Sequence, residues 1–189
     1  AAVGLGAQAP AQTLLGLENG SLAATGQLLQ EFDSDCNRLR DCIVRIFGPS
    51  IPAPLGGLAF DARDGTLWAT DGLVLAHIDR ECNVLARCLI ANSILGRVTG
   101  LAFDARGNRL WFTDTTNTIY RAPAACPLTQ VQRLCQVPPQ QVGGIVTGIE
   151  VDRFNGSVWV VDEFGVVVNL RTDVTIGVCR VIDFFRTAC

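Results

Sequence analysis

The sequence predicts an all-β protein made of four repeated units of antiparallel strands. Three observations lead to this prediction: an internal repeat along nearly the whole chain, short apolar runs with strand periodicity inside each unit, and a pair of cysteines after each copy of the repeat. Nothing in the chain reads as a long amphipathic helix. With 189 residues, the chain is long enough for one domain with a core of its own.

The repeat is clearest at the start of each unit. GGLAFDARDGTLWATD in 56–71 is closely repeated as TGLAFDARGNRLWFTD in 99–114 and as TGIEVDRFNGSVWVVD in 147–162, and TLLGLENGSLAATG in 13–26 is a weaker copy. We therefore expect an N-terminal extension and a single domain of four units. The predicted bounds are 1–12 for the extension and 13–189 for the domain, with units at about 13–56, 57–99, 100–146 and 147–189.

Within one unit the pattern is that of strands. In residues 57–90, the runs GLAFD, TLWAT, LVLAHID and LARCLI are short and apolar, and Asp64-Gly65 marks the first turn. Four antiparallel strands per ~45 residues is the period of a β-propeller blade. A single blade exposes both sheet faces, so each must stack on its neighbours. The sequence therefore predicts a β-propeller of four four-stranded blades, arranged as a closed ring or as an open arc.

The eight cysteines follow the repeat copies in pairs. The pairs are Cys36 and Cys42, Cys82 and Cys88, Cys126 and Cys135, and Cys179 and Cys189. The first cysteines of successive pairs lie 46, 44 and 53 residues apart. Zinc sites prefer shorter spacings with converging ligands, and a redox CxxC is absent. We predict one disulfide per blade, formed within each pair across the turn between the third and fourth strands, with pairing between units as the alternative.

The quoted motifs carry a family resemblance. GLAFDARDGTLWATD and IDRECNVLARCLI resemble the YWTD-type β-propeller repeats of lipoprotein-receptor ectodomains, and LWATD, LWFTD and VWVVD stand in place of the eponymous tetrapeptide. They are similar also to NHL and gluconolactonase-like propellers. The resemblance covers about three of the four units and implies a fold rather than an activity, because such propellers include receptors, scaffolds and hydrolases. Those families form six-bladed rings, whereas this chain has four units.

Aspartates recur at two positions of the repeat. Asp61, Asp104 and Asp152 follow the first strand, and Asp71, Asp114 and Asp162 follow the second. We predict structural roles for them, in capping turns and bonding backbone N–H groups, because a residue that recurs in each unit is a poor candidate for a single active site. The alternative is a calcium-dependent lactonase-like site, with Glu150 as a further ligand.

One tryptophan occupies an equivalent place on the second strand of three units. These residues are Trp68, Trp111 and Trp159, and we predict that they pack between blades. The single histidine, His77, has no second His and no GxSxG motif to accompany it, so we interpret it as a strand residue. Asn19 and Asn155 begin Asn-Gly-Ser sequons, but Asn-Gly also suits the turn itself.

Composition points to an extracellular compartment. The net charge of −3 provides no basic field for nucleic acid, and no apolar run is long enough for a membrane span. An even cysteine number indicates an oxidising environment, and the small-residue start AAVGLGAQAPAQ without Met suggests a removed signal peptide. Only 17% of residues are charged, so we expect a partner to cover part of the surface.

The sequence favours a secreted, non-catalytic structural protein that associates with itself. We expect a homo-oligomer or polymer, which extends into a filament or surface layer if the ends of the arc are open. The alternative is a binding module of a surface assembly whose partner is another surface protein or a glycan. The lactonase-like hydrolase is a third hypothesis. No catalytic residue, cofactor or metal is assigned, and no nucleic-acid partner is expected.

Overall fold

We describe the protein from a computed structural model. It describes residues 14–18, 27–33, 35, 37–44, 56–90, 96–172 and 177–186. The chain divides into two compact units, 1–52 and 53–189, which are treated separately below. The partition into a 1–12 extension and a single 13–189 domain stays a prediction.

The first unit contains an antiparallel sheet of three described strands. These are β1 (Leu14–Glu18), β2 (Gln27–Phe32) and β3 (Arg38–Val44), in the order β1-β2-β3. β1 pairs with β2, with Leu14 opposite Phe32 and Glu18 opposite Leu28. Residues 19–26 lie outside the described ranges.

The second unit contains three four-stranded antiparallel sheets, which we call blades 2, 3 and 4. Blade 2 consists of β4 (Gly57–Asp61), β5 (Thr66–Thr70), β6 (Val74–Ile78) and β7 (Val84–Leu89). Blade 3 consists of β8 (Val98–Asp104), β9 (Arg109–Asp114), β10 (Thr118–Pro123) and β11 (Gln132–Gln136). Blade 4 consists of β12 (Val146–Val151), β13 (Val158–Asp162), β14 (Val166–Arg171) and β15 (Arg180–Arg186). In each blade, neighbours in sequence are neighbours in the sheet.

Turn chemistry explains where the strands end. The first hairpin turn of each blade needs a residue in the left-handed region, supplied by Gly65 (φ 77°), Asn108 (φ 47°) and Gly156 (φ 73°). These are the Asp-Gly, Gly-Asn and Asn-Gly turns of the repeat. The strand pattern then follows from apolar residues on both sides of the turn, since both faces of a blade are packed.

The three blades stack in the order 2, 3, 4. The first strands β4, β8 and β12 contact one another in turn. One apolar core lies between blades 2 and 3, including Ala59, Trp68, Leu101, Phe103, Leu110 and Phe112. A second core lies between blades 3 and 4, including Ala102, Trp111, Ile149, Val151, Val158 and Val160. Each blade face is thus built from alternate residues of its strands, as strand geometry requires.

Glycines allow the closest approach of these first strands. A Cβ added to Gly57 would lie 2.8 Å from the backbone N of Leu101. One added to Gly100 would lie 3.2 Å from the backbone of Gly148. The first distance is shorter than real Cβ contacts, and the second is tighter than most of them. The GL and GI dipeptides of the repeat therefore mark the positions where one blade meets the next.

Within the described ranges, the structure contains no apolar helix of membrane-spanning length.

Candidate functional site

Two disulfides join successive blades, which corrects the predicted pairing within blades 2, 3 and 4. The predicted Cys36–Cys42 bond stays a prediction, because Cys36 lies outside the described residues. Cys88 on β7 is bonded to Cys126 in the loop before β11, with their Cα atoms 5.5 Å apart. Cys135 on β11 is bonded to Cys179, just before β15, with their Cα atoms 5.0 Å apart. Each bond therefore links the fourth strand of one blade to the hairpin between the third and fourth strands of the following blade.

Strand geometry explains why the predicted pairs do not form. Cys82 lies in the turn before β7, whereas Cys88 lies near the far end of that strand, opposite Leu75. An extended strand rises ~3.3 Å per residue, so the two cysteines of one pair lie well beyond the ~5.5–6 Å that a disulfide spans. The sequence spacing alone did not distinguish a cysteine within the turn from one far along the strand.

The remaining cysteines divide into two groups. Cys42 and Cys82 are also disulfide-bonded, and Cys82 is bonded to a cysteine other than Cys88. Cys36 and Cys189 lie outside the described residues. An oxidised state is therefore common to the six described cysteines, and it agrees with the oxidising compartment expected from the sequence.

The aspartates after the second strand of each blade accept hydrogen bonds from the backbone of the second hairpin turn. Asp114 accepts hydrogen bonds from the backbone N–H groups of Thr116 and Thr118, and through its other oxygen from Gly96 N–H and the Tyr120 hydroxyl. It therefore ties the second hairpin turn to the loop that leads into the blade. These donors take the place of water around the buried carboxylate.

Its counterparts make the same type of contact. Asp162 accepts from Phe164 N–H, Val166 N–H and Gly143 N–H, the last over 2.6 Å. Asp71 accepts from Leu73 N–H and Val74 N–H. Burial alone would raise the pKa of Asp162, but the hydrogen bonds from Val166, Gly143, Phe164 and Gly144 outweigh it and lower that pKa.

The aspartates after the first strand serve the first hairpin turn. Asp61, Asp104 and Asp152 each accept from the backbone N–H two residues later. Asp61 also forms an ion pair of 2.6 Å with Arg63. The guanidinium of Arg63 continues to blade 3, where it donates to Asn108 Oδ1 over 2.7 Å and lies 4.7 Å from the centre of the Phe103 ring. The first turn of blade 2 thus clasps blade 3.

The repeated tryptophans differ in their exposure. Trp68 and Trp111 lie between blades, with 4% and 5% of their surfaces exposed. Trp159, at the same repeat position in blade 4, is partly exposed. Blade 3 covers Trp68 and blade 4 covers Trp111. The exposure of Trp159 therefore depends on what covers the corresponding face of blade 4.

Each tryptophan has a polar residue opposite it on the third strand. His77 stacks on Trp68 with ring centres 4.3 Å apart, and the guanidinium of Arg121 lies 5.3 Å from the centre of the Trp111 ring. Asn169 lies opposite Trp159. Its Oδ1 is buried and has no hydrogen-bond partner in the described part of the chain. The sequence pattern identified the tryptophans but not these polar partners.

The surroundings of His77 do not have the order of a catalytic triad. Its Nε2 lies 2.6 Å from the Thr66 hydroxyl, which donates to Asp64 over 2.6 Å. The hydroxyl therefore lies between the imidazole and the carboxylate, whereas nucleophilic catalysis needs the imidazole in the middle. The Thr66 hydrogen bond lowers the pKa of Asp64 against the opposing effect of burial.

The described residues among the proposed calcium ligands are not arranged to bind a metal ion. In the described ranges, no three His, Cys, Asp or Glu side chains lie close enough together to hold a metal ion. Asp61 is engaged with Arg63, and Glu150 lies on the opposite face of β12 from the apolar core. Of the two sequons, Asn155 uses its side-chain oxygen to accept from Ser157 N–H over 2.7 Å, and Asn19 lies outside the described residues.

The strongest candidate for an interaction surface is the outward face of blade 4. We define this outward face by the residues that point away from blade 3: Gly148, Glu150, Trp159, Val161, Val167 and Phe185. Trp159 and Phe185 pack together at 6.0 Å between ring centres. Phe185 is nevertheless about half exposed, and Val161 is more exposed than its buried counterparts Thr70 and Thr113.

Phe154 extends the apolar surface from the first hairpin turn of blade 4. It stands at the repeat position of Arg63 and Arg106, and 96% of its surface is exposed. Its backbone N–H bonds Asp152, so the turn itself is ordinary and only the side chain differs. Phe154 was not among the residues predicted from the sequence. The replacement of Arg by Phe at this turn nevertheless indicates an exposed apolar side chain.

Glu150 places a charge on the first strand of the outward face. It occupies the position of Ala59 and Ala102, which are buried between blades. Although it is exposed to solvent, the neighbouring protein atoms partly desolvate it and raise its pKa, against the opposing charge of Arg153. A carboxylate at this position makes the outward face less apolar than the corresponding faces of blades 2 and 3.

Comparison with solved structures establishes the architecture. The chain superposes on one chain of a nidogen/laminin complex with a TM-score of 0.57, at 17% identity, over 84% of this chain and 55% of the other. The chain has the β-propeller fold. It also superposes on virginiamycin B lyase from Staphylococcus aureus, with a TM-score of 0.51, 12% identity and coverage of 86% and 49%. The predicted fold class and the resemblance to propeller repeats are confirmed at the level of fold.

The comparisons define fold and not activity. This chain spans about half the length of each of these two chains. No family model matches the sequence, and no curated protein matches it. Because propellers carry many activities, the function has to be argued from the surfaces of this chain.

Proposed function

We propose that the protein is a secreted, non-catalytic propeller that assembles with copies of itself through apolar surface. The observation that carries the proposal is the concentration of exposed large apolar side chains on blade 4. They are Ile145, Phe154, Phe164, Val178, Ile182, Phe184 and Phe185. Soluble monomers rarely expose such sets, since leaving them in water forgoes ~25 cal/mol for each Å² that a partner would cover.

The disulfides support a role outside the cytoplasm. Bonds between successive blades, such as Cys88–Cys126, persist only under oxidising conditions. They also hold neighbouring blades together in a chain with few charges and a large apolar fraction. A rigid, covalently braced scaffold is suited to structural assembly, because little conformational freedom is then lost on association.

Sedimentation velocity of the purified, oxidised protein between ~1 and ~100 µM tests this proposal. The weight-average sedimentation coefficient should rise with concentration, because the exposed apolar surface drives reversible association. A concentration-independent monomer over that range would overturn self-association.

A second candidate is a binding module for another surface protein or for a glycan. The specific observation in its favour is that the nidogen propeller to which this chain is similar was solved in complex with laminin. Fractionation of an extracellular extract over the immobilised protein distinguishes the two. Retention of one distinct partner by a monomeric protein favours the binding module, and recovery of the protein's own chain favours self-assembly.

The lactonase-like hydrolase has weaker support. Asp114 and Asp162 use both carboxylate oxygens for backbone or side-chain donors, so little ligand capacity remains for calcium. Calcium binding to the native state would raise the melting temperature by mass action. We expect the melting temperature to be the same with millimolar calcium and with a chelator, and a clear increase with calcium would favour the hydrolase.

A further inference from the structure

We propose that the outward face of blade 4 is the docking surface for a second copy of this chain, so that copies associate head to tail. The inference rests on the proposed function and names the surface through which it acts. It follows from four repeat positions. At three of them the counterparts in blades 2 and 3 lie against the following blade, and at the fourth Arg63 of blade 2 reaches across to blade 3.

The tryptophan position gives the first comparison. Trp68 packs against blade 3 and Trp111 packs against blade 4, and both are buried. Trp159 has the same place in its blade, yet it keeps part of its surface in water. The Trp159 indole is already held in place on its strand. When another blade covers it, burial of the ring is favourable and the side chain loses little conformational entropy.

The glycine position gives the second comparison. An added Cβ would meet the backbone of the following blade at Gly57 and at Gly100. At Gly148, the one described neighbour within 4 Å is Val161 Cγ1 of the same blade. Gly148 therefore leaves the outward face open to the close approach of another strand. Within the described residues, no strand of a further blade lies there.

The first hairpin turn gives the third comparison. Arg63 in blade 2 reaches across to Asn108 and Phe103 of blade 3. Phe154 has the equivalent position in blade 4 and projects almost entirely into solvent. If a further blade occupies the outward face, Phe154 lies where Arg63 lies and contacts that blade through an aromatic ring.

Continuity with the internal interfaces identifies the occupant as a blade. The contacts between blades 2 and 3 and between blades 3 and 4 use the same repeat positions, so a third contact of that type needs a sheet of the same design. A second copy of this chain supplies one.

Glu150 makes this contact weaker than the internal ones. In blades 2 and 3 the equivalent residue is a buried alanine, whereas here a carboxylate has to lose water when the face is covered. Association through this face should therefore be reversible, and replacement of Glu150 by alanine should strengthen it. Few alternative explanations predict that removal of a charge from this single position tightens self-association.

Sedimentation velocity on matched variants tests the proposal. Phe154→Asp and Phe185→Asp alter the outward face, and Phe184→Asp is the control, because Phe184 neighbours Phe185 but points to the opposite side of β15. We expect the first two variants to raise the dissociation constant about tenfold or more and the control to change it less than about twofold. Glu150→Ala should lower it. Phe154 is so exposed that its variant leaves folding unaffected, which circular dichroism checks.

The outcomes separate the inference from the proposed function. Association that is unchanged in Phe154→Asp and Phe185→Asp overturns this docking surface but leaves self-assembly standing. A wild-type protein that stays monomeric overturns both. If Phe185→Asp fails to fold because of its contact with Trp159, the Phe154→Asp and Glu150→Ala pair alone decides, since their expected effects are opposite in sign.

Discussion

Cys88 and Cys126 are joined across two blades, from the fourth strand of blade 2 to the outer hairpin of blade 3. The same relationship holds between blade 3 and blade 4 through Cys135 and Cys179. The bonds therefore lock the stacking of blades rather than the edge of a single blade. Because the outer strands are far from the tightly packed first strands, these are the places where stacked blades would otherwise separate most easily.

Loss of one such bond should destabilise the stack. The Cys88→Ala/Cys126→Ala double variant should lose roughly 2–4 kcal/mol of unfolding free energy, because the bond closes a loop of 38 residues in the unfolded chain. Denaturant unfolding of the oxidised proteins measures the difference. Peptide mapping without reduction should recover Cys88–Cys126 and Cys135–Cys179, and recovery of Cys82–Cys88 would contradict the structure.

Two aspartates of blade 3 should differ strongly in their contribution to stability. Asp114→Ala leaves Gly96, Thr116 and Thr118 N–H groups without their acceptor and should cost about 3 kcal/mol or more. Asp104→Ala is the matched control, since Asp104 is only partly buried and accepts from Arg106 N–H at an exposed turn, so it should cost about 1 kcal/mol. Urea denaturation of both variants checks the order, and equal effects would contradict the assigned roles.

The stability of blade 4 should depend on pH through Asp162. Its folded pKa is lowered by backbone hydrogen bonds that outweigh burial, so its contribution is present above its unfolded pKa of ~3.9 and is lost as the pH falls through the folded value. Asp162→Asn should therefore be less stable than the wild type at pH 7, and the difference should shrink as the medium becomes acidic. Thermal unfolding at several pH values measures this dependence.

Glu150 should show the opposite sign. Desolvation raises its folded pKa, so ionisation opposes folding, and stability decreases as the pH rises from the unfolded value of ~4.3 through the folded one. Glu150→Gln should remove that decrease and be at least as stable as the wild type at pH 7. A variant that is clearly less stable at pH 7 would contradict an unfavourable desolvation of Glu150.

The repeat glycines should tolerate a methyl group unequally. Gly100→Ala should cost roughly 1–3 kcal/mol, because its Cβ would collide with the backbone of Gly148 in the next blade. Gly148→Ala should cost less, because its Cβ meets the partly exposed side chain of Val161, which can change rotamer, and not the backbone of another blade. Chemical denaturation compares the two, and a larger cost for Gly148→Ala would contradict this difference.

Much of the fold could be predicted because the repeat makes it redundant. A strand period, a turn dipeptide and an apolar core position recur in each unit, so an error at one copy is corrected by the others. The first unit has less of this support, because 13–26 is only a weak copy of the repeat. The pairing of cysteines was also beyond reach, because sequence spacing does not report how far along a strand each cysteine lies.

The candidate interaction surface was harder to predict for a related reason. A repeat alignment emphasises what the units share, and the outward face is defined by what differs: Phe154 in place of Arg63, Glu150 in place of Ala59. Such differences gain meaning only when the neighbouring blade is known to cover one copy and not another. The low proportion of charged residues indicated a covered surface but not its position.

Electron microscopy of the negatively stained protein at micromolar concentration shows directly whether copies associate head to tail. We expect propeller-sized particles joined head to tail as dimers or short chains, and a larger share of isolated particles for Phe154→Asp than for Phe184→Asp. A field of isolated particles for the wild type, with the same appearance in both variants, would contradict it.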